Sequence, residues 1–403
     1  MPIPLKVLWA SPNTLLDTAN GAALMVKECL KQLSQRGCNV MALGATVFVN
    51  AQGRALLQNK WQEIIAQEGK FIRYRDGALD HLLLVTRRTE RRLMLSYEEQ
   101  RWFDQYCQLL HQFKPDIVLF FDNSLITLVT ASEARAQGIP VGVFLMHGKN
   151  RGSRWCRDVS LMITDTRATA EMYREREGYD LVPVGTFVDP LPVRADHHQR
   201  SHILFVNPIP QKGAMLVIQL AMALEKSRPD IRFEIVDTRG TWQGLLTRVS
   251  RQLGSPRTQL DNVRVTANTP DMKPSYGRAR VLLVPSLWWE SGPRVIVESL
   301  VNGIPVIGSR SGGIGEVAGK GGLLLDLPGE YFAEPYLRPF GQRELSSVKD
   351  LIIRVFDDQD FYAALVADAY AAHAENHDIE RNANYLLRVL EEAVAKNKER
   401  DKP

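Results

Sequence analysis

The sequence predicts an α/β protein of two domains, each a parallel sheet layered with helices. Three observations carry that prediction. The chain has 403 residues, more than the roughly 100–200 of one ordinary domain. In both halves short β-rich apolar runs alternate with helical segments, as βαβ units do. Between the halves, residues 188–198 are rich in breakers and carry no periodicity, so they read as an interdomain linker.

The elements follow in order. Residues 6–10 form an apolar strand, then a loop runs through Gly21 into a helix over 22–36. Gly37 stops that helix, because glycine takes the left-handed conformation of a helix end without a Cβ penalty. Strands follow at 39–43, 117–121, 141–145 and 160–164, with helices at 125–136 and 168–177. The second half restarts the rhythm, with strands at 203–206, 233–236, 263–266, 281–284 and 305–308. Helices are expected at 215–226 and 293–302. Residues 378–397 form one amphipathic helix with Leu386, Leu387, Val389 and Leu390 apolar, and the charged tail from Lys396 onward frays. Two such halves place a ligand cleft between the carboxyl ends of two parallel sheets.

Composition narrows the class. Hydrophobic residues make up 45% and charged residues 24%, values of an ordinary globular protein able to bury a large core. Cys29, Cys38, Cys107 and Cys156 are scattered without a Cys-x-x-Cys pair, so neither a zinc site nor a disulfide framework is indicated. Free buried thiols suit a reducing, cytoplasmic compartment. The apolar run at 7–10 is too short for a secretion leader, and no window reaches 18 apolar residues. A net charge of +4 permits an anionic partner without demanding one.

The densest chemical signal is Pro285-Ser286-Leu287-Trp288-Trp289-Glu290-Ser291-Gly292-Pro293-Arg294-Val295-Ile296-Val297-Glu298. A buried strand ends at Val284, and two carboxylates follow eight residues apart. Pro293 suits a first helical position, which puts Glu290 in the loop and Glu298 in the second turn. Two solvated glutamates beside a valine-rich strand are the bland alternative. Arg294 argues against it. A cation in a first turn opposes the helix dipole, and makes sense where a phosphate meets free helix N–H groups. Ser311-Gly312-Gly313 then lets backbone amides approach an anion closely.

The stretch from Val284 to Glu316 resembles the nucleotide-sugar-binding region of the retaining family 4 glycosyltransferases. The resemblance rests on Glu290-x7-Glu298, Gly303-Ile304-Pro305-Val306 and Gly312-Gly313-Ile314-Gly315-Glu316. The Lys212-Gly213 loop after 203–206, Met146-His147-Gly148, and the segment 185–189 fit the same family. The resemblance covers about residues 5–325, strongly in the second half and loosely in the first.

It implies two Rossmann-like domains facing across a cleft (GT-B type), with the C-terminal helix packing back toward the first. The implied division is 1–190 for an acceptor-side domain, 191–200 for the linker, 201–375 for the nucleotide-sugar domain and 376–403 for the helix and tail. It also implies transfer of a hexose-type sugar from a nucleotide sugar to a glycan or lipid-linked acceptor with retention, in bacterial surface polysaccharide or glycoconjugate synthesis. Glu298 is expected on the ribose hydroxyls, Glu290 on the transferred hexose and Lys212 on the diphosphate. A carboxylate suits a diol because it accepts two hydrogen bonds at once. Where the family usually has an arginine, this chain has Asn207, and Arg294 is expected to supply the missing charge. Pro293 replaces a frequent glycine. Gly292 and Val295 complete the donor side.

His147 is expected to face the sugar, unless it is a satisfied structural histidine. Asp17, Asn20 and Gly21 lie in the loop after the first strand, beside the acceptor, with plain helix capping as the alternative. Lys149, Arg151, Arg154 and Arg157 follow His147 on the acceptor side, where they could hold a phosphorylated acceptor or a membrane headgroup. Arg87, Arg88, Arg91 and Arg92 form a second basic cluster. Solvated charge is the alternative for both. No metal and no cofactor is expected beyond the donor, and no nucleic-acid partner. The expected localisation is cytoplasmic, with peripheral contact at the inner membrane face. The rivals are a nucleotide-sugar epimerase, a non-catalytic sugar-nucleotide-binding subunit and a dinucleotide oxidoreductase. The loop Ser11-Pro12-Asn13-Thr14 lacks the Gly-x-Gly-x-x-Gly that the last requires.

Overall fold

The computed structural model describes residues 4–121 and 124–400. The last three residues of the charged tail lie outside them. The chain forms two compact units, Met1–Phe187 with Ile379–Pro403, and Val188–Asp378.

In the first unit the strands are β1 (Lys6–Ala10), β2 (Asn39–Ala45), β3 (Phe71–Asp76), β4 (Leu79–Leu84), β5 (Ile117–Phe121), β6 (Val141–Phe144), β7 (Leu161–Thr164) and β8 (Leu181–Pro183). The helices are α1 (Gly21–Gln35), α2 (Trp61–Ile65), α3 (Ser96–Gln112), α4 (Leu125–Ala136) and α5 (Arg167–Glu177). The sheet order is β3-β4-β2-β1-β5-β6-β7-β8. Every pairing is parallel except the β3–β4 edge hairpin. Val7 to Ala10 are all buried, as a central strand with helices on both faces requires.

In the second unit the strands are β9 (His202–Val206), β10 (Arg232–Val236), β11 (Val263–Thr266), β12 (Ala279–Val284), β13 (Val306–Ser309) and β14 (Gly322–Leu325). The helices are α6 (Ala214–Ser227), α7 (Trp242–Gln252), α8 (Lys273–Arg278), α9 (Arg294–Val301), α10 (Ile314–Ala318), α11 (Gln342–Asp357) and α12 (Gln359–Asn376). The six strands run parallel in the order β11-β10-β9-β12-β13-β14.

Two expectations change, the linker and the frayed tail, while the C-terminal helix packs with the first unit as expected. The stretch read as a linker is packed into the second unit: Val188 and Ala195 join its core. The Asn302 side chain accepts from Ala195 N at 2.8 Å and donates to Val193 O at 3.0 Å. The C-terminal helix α13 (Ile379–Arg400) belongs to the first unit. Its Ala383, Leu386 and Leu390 share a core with β1 and α1. Arg36 reaches Glu380 at 2.5 Å and Asn384 at 2.7 Å, and Asn397 is held by Arg135 at 2.6 Å. Residues 396–400, expected to fray, are therefore helical because Asn397 is anchored there.

Candidate functional site

The order of the second sheet reverses at β9, which pairs with β10 on one side and β12 on the other. The loops 207–213 and 285–293 leave adjacent carboxyl ends at that reversal. Open α/β sheets bind ligands at such a point. Gly213 makes the close approach possible. It has φ +78°, and a Cβ there would lie 2.0 Å from Pro285 O. Leu287 N donates to Gln211 O at 2.8 Å, which ties the two loops together.

Lys212 and Glu290 meet across this junction, Nζ to Oε1 at 2.5 Å. The same Oε1 accepts from Ser286 Oγ at 2.8 Å and from Trp288 Nε1 at 2.6 Å. Lys212 Nζ also stands 5.7 Å from the Trp288 ring centroid. Three donors on one oxygen fix the carboxylate. The Gly312-Gly313 turn, expected to approach an anion, packs on Glu290. Gly313 N donates to Glu290 O at 2.8 Å. Gly312 has φ +58°, and a Cβ there would lie 1.9 Å from that oxygen. The turn clamps the backbone of Glu290.

Helix α9 starts one residue later than expected. Pro293 is its N-cap and Arg294 its first residue. Arg294, expected on the phosphate, also reaches a carboxylate. Its Nε and Nη2 lie 3.2 Å and 3.0 Å from Glu298 Oε1, an i,i+4 ion pair. Tyr276 Oη donates to Glu298 Oε2. Burial, and then the Glu298 charge, hold that phenol well above its ordinary range. Oε1 thus takes two donors and Oε2 one, which leaves an acceptor position on Oε2. Val295 and Gly292 are half-buried beside it. Asn207 has φ +68°, and its Oδ1 accepts from Arg239 N at 3.2 Å. It organises the neighbouring loop. Ser286, Trp288 and Tyr276 were not singled out from the sequence. The first two lie inside the motif at four and two residues from Glu290, which was the available signal.

In the first unit, His147 lies three residues past the end of β6 and is half-buried. Its Nδ1 accepts from Lys149 N at 3.2 Å. Asp17 is buried, and its carboxylate accepts from Ala19 N at 2.9 Å and Val49 N at 2.7 Å. It stitches two loops. Asn20 caps α1 by accepting from Ala22 N at 3.2 Å, and Gly21 is the first, exposed residue of that helix. Of the three residues, Asn20 is the helix cap. Arg151 and Arg154 are both exposed. Arg151 Nε lies 3.4 Å from Glu177, and its Nη1 donates to Gly148 O and Asn150 O at 3.1 Å.

Among the described residues no three metal-ligating side chains are grouped to hold an ion. Asp358-Gln359-Asp360 has Asp-x-Asp spacing, but Asp358 caps α12 by accepting from Phe361 N at 2.9 Å. No described helix is long and apolar enough to cross a membrane.

Residues 195–332 match the family model described as Glycosyl transferases group 1. They contain Lys212, Glu290 and Glu298. No curated protein matches the chain by sequence. Solved structures match over nearly the whole length. A glycosyltransferase from Rickettsia africae is 13% identical, with TM-score 0.67 over 97% of this chain and 99% of that one. Anabaena HepE in complex with UDP-glucose is 15% identical, with TM-score 0.66 over 96% and 100%. Sucrose-phosphate synthase from Thermosynechococcus elongatus is 13% identical, with TM-score 0.70 over 97% and 100%. The chain has the two-domain α/β fold of these glycosyltransferases.

Proposed function

We propose that the chain is a glycosyltransferase that takes a hexose-type sugar from a nucleotide sugar and passes it to a glycan or lipid-linked acceptor with retention. One observation carries the reading. Lys212, Glu290 and Glu298 gather on the switch-point end of the second sheet, inside the segment that matches the glycosyl transferases group 1 model. Glu298 accepts the ribose diol, held by Arg294 and Tyr276. Glu290 presents Oε2 to the sugar, held by Lys212, Ser286 and Trp288. Lys212 also faces the diphosphate and stabilises charge as it leaves. In the first unit His147 faces the sugar, while Arg151 and Arg154 face the acceptor.

The reaction needs no metal in this reading, because side chains and the α9 N-terminus meet the leaving charge. The place of work is the cytoplasm, at the inner membrane face when the acceptor is lipid-linked, in bacterial surface glycoconjugate synthesis. The UDP-glucose complex of HepE makes UDP-sugars the first donors to try. The test is incubation with a panel of nucleotide sugars and detection of free nucleoside diphosphate. Release from one donor, lost in Glu290→Gln, supports the reading. No release from any donor, with or without added glycan and lipid acceptors, overturns it.

A further inference from the structure

The loop that carries His147 is built on one face of α5. Tyr173, Arg176 and Glu177 stand at i, i+3 and i+4, so their side chains project on the same side. All three grip the loop's backbone. Tyr173 Oη donates to His147 O at 2.5 Å and accepts from Asn150 N at 3.2 Å. Arg176 Nη1 donates to Gly148 O at 2.9 Å and Nη2 to Asn150 O at 3.0 Å. Glu177 Oε2 accepts from Gly152 N at 2.9 Å, and its Oε1 takes Arg176 Nε at 2.9 Å. The Arg176 guanidinium stands 4.9 Å from the Tyr173 ring centroid. Just beyond the helix, Tyr179 Oη donates to Gly152 O.

The loop's carbonyls are thus turned onto α5, and this fixes where its amides point. The Lys149 amide points at the imidazole, where His147 Nδ1 accepts it at 3.2 Å. A ring nitrogen that accepts a hydrogen bond carries no proton, so the proton of the neutral ring sits on Nε2.

We infer that Tyr173, Arg176 and Glu177 are positioning residues that hold His147 as an Nε2–H donor. On the proposed glycosyltransferase reading, His147 then gives a hydrogen bond to a sugar oxygen and takes no proton from it. Burial pushes the Tyr173 phenol up to about 12, so its hydroxyl stays a donor over the whole working range.

The test uses the full chain with ¹⁵N-labelled histidine. The ring nitrogens of His147 are assigned as the signals missing from His147→Gln. The wild type should show a bare Nδ1 and a protonated Nε2. Tyr173→Phe removes the bridging hydroxyl and should move His147 to averaged, mixed-tautomer shifts. It should also lower kcat by roughly tenfold or more, with the nucleoside diphosphate Kd unchanged, since that constant reports the second unit. If Tyr173→Phe fails to fold, Arg176→Gln at the loop's edge gives the same readout. A protonated Nδ1 in the wild type, or wild-type His147 shifts in the variant, overturns the inference. The spectrum needs no turnover. A protein with the expected tautomer and no activity on any nucleotide sugar keeps the positioning and loses the glycosyltransferase reading.

Discussion

Lys212 and Glu290 are 78 residues apart in sequence, and their charged atoms lie 2.5 Å apart in space. Lys212 therefore holds Glu290, and the proposed function gives it a second task on the diphosphate. Lys212→Ala leaves Glu290 with Ser286 and Trp288. Nucleoside diphosphate affinity should fall about 10–150-fold, the equivalent of ~1.5–3 kcal/mol for a charge-assisted hydrogen bond. The bare nucleoside should change little. Calorimetry with both ligands decides. Equal weakening would confine Lys212 to holding Glu290.

Arg294 separates the same alternatives in the opposite sense. Its Nε and Nη2 are paired with Glu298, so Arg294→Ala should weaken nucleoside and nucleoside diphosphate by the same factor. A loss confined to the diphosphate would place the guanidinium on phosphate instead.

Gly312→Ala tests the clamp. The new Cβ would press on Glu290 O from a left-handed backbone. A cost of ~1–3 kcal/mol and loss of turnover are expected. Gly329 has open space at its Cβ position and no positive φ. Gly329→Ala should stay within about 0.5 kcal/mol of wild type. Denaturant midpoints of the two variants give the comparison, and equal midpoints would refute the clamp.

Most of the fold could be read from the sequence, and the exceptions share physical causes. The strands β1, β5 and β11 and the helix α4 fall on the expected residues, because apolar runs between breakers define them. The β3–β4 hairpin went unread although β3 carries the polar and apolar mixture of a half-exposed edge strand. The strands β8 and β14 and the helices α2, α3, α7, α8, α10, α11 and α12 also went unread. The motif located Glu290, Glu298 and Lys212. It could not show that Tyr276, from α8, donates to Glu298, because that contact exists only once the strands are aligned. The Arg294–Glu298 pair was available in the i,i+4 spacing.

His81 on β4 makes stability depend on pH. It is 2% exposed. Burial pushes its imidazole down to about 4, with Asp76 opposing and Lys27 and Lys31 adding to the shift. The unfolded value is near 6.5. Between those values the unfolded chain binds a proton that the fold refuses, so stability falls as pH drops from 6.5 toward 4. The full span is about 3 kcal/mol, and above 6.5 the contribution is flat. His81→Leu should flatten that window in urea midpoints taken at pH 7, 6 and 5. Parallel curves for both proteins would contradict the assignment.

The basic loop after His147 makes a kinetic prediction. Arg151 is partly neutralised by Glu177, so Arg154 should carry the larger share of any acceptor attraction. Arg154→Ala should raise the acceptor KM and leave the donor KM nearly unchanged. The effect should shrink with salt, since screening acts over about 8 Å at physiological ionic strength. A change confined to the donor constant would return the loop to solvated surface.

The most direct measurement is calorimetric titration of the wild type and Glu298→Ala with UDP, GDP, ADP and dTDP in the presence of EDTA. If the second unit is a metal-independent nucleotide-sugar site, at least one of the four binds the wild type. That ligand binds Glu298→Ala about tenfold or more weakly, as loss of a charged acceptor requires. Wild type that binds none of them, or a Glu298→Ala variant that binds as tightly as wild type, contradicts it.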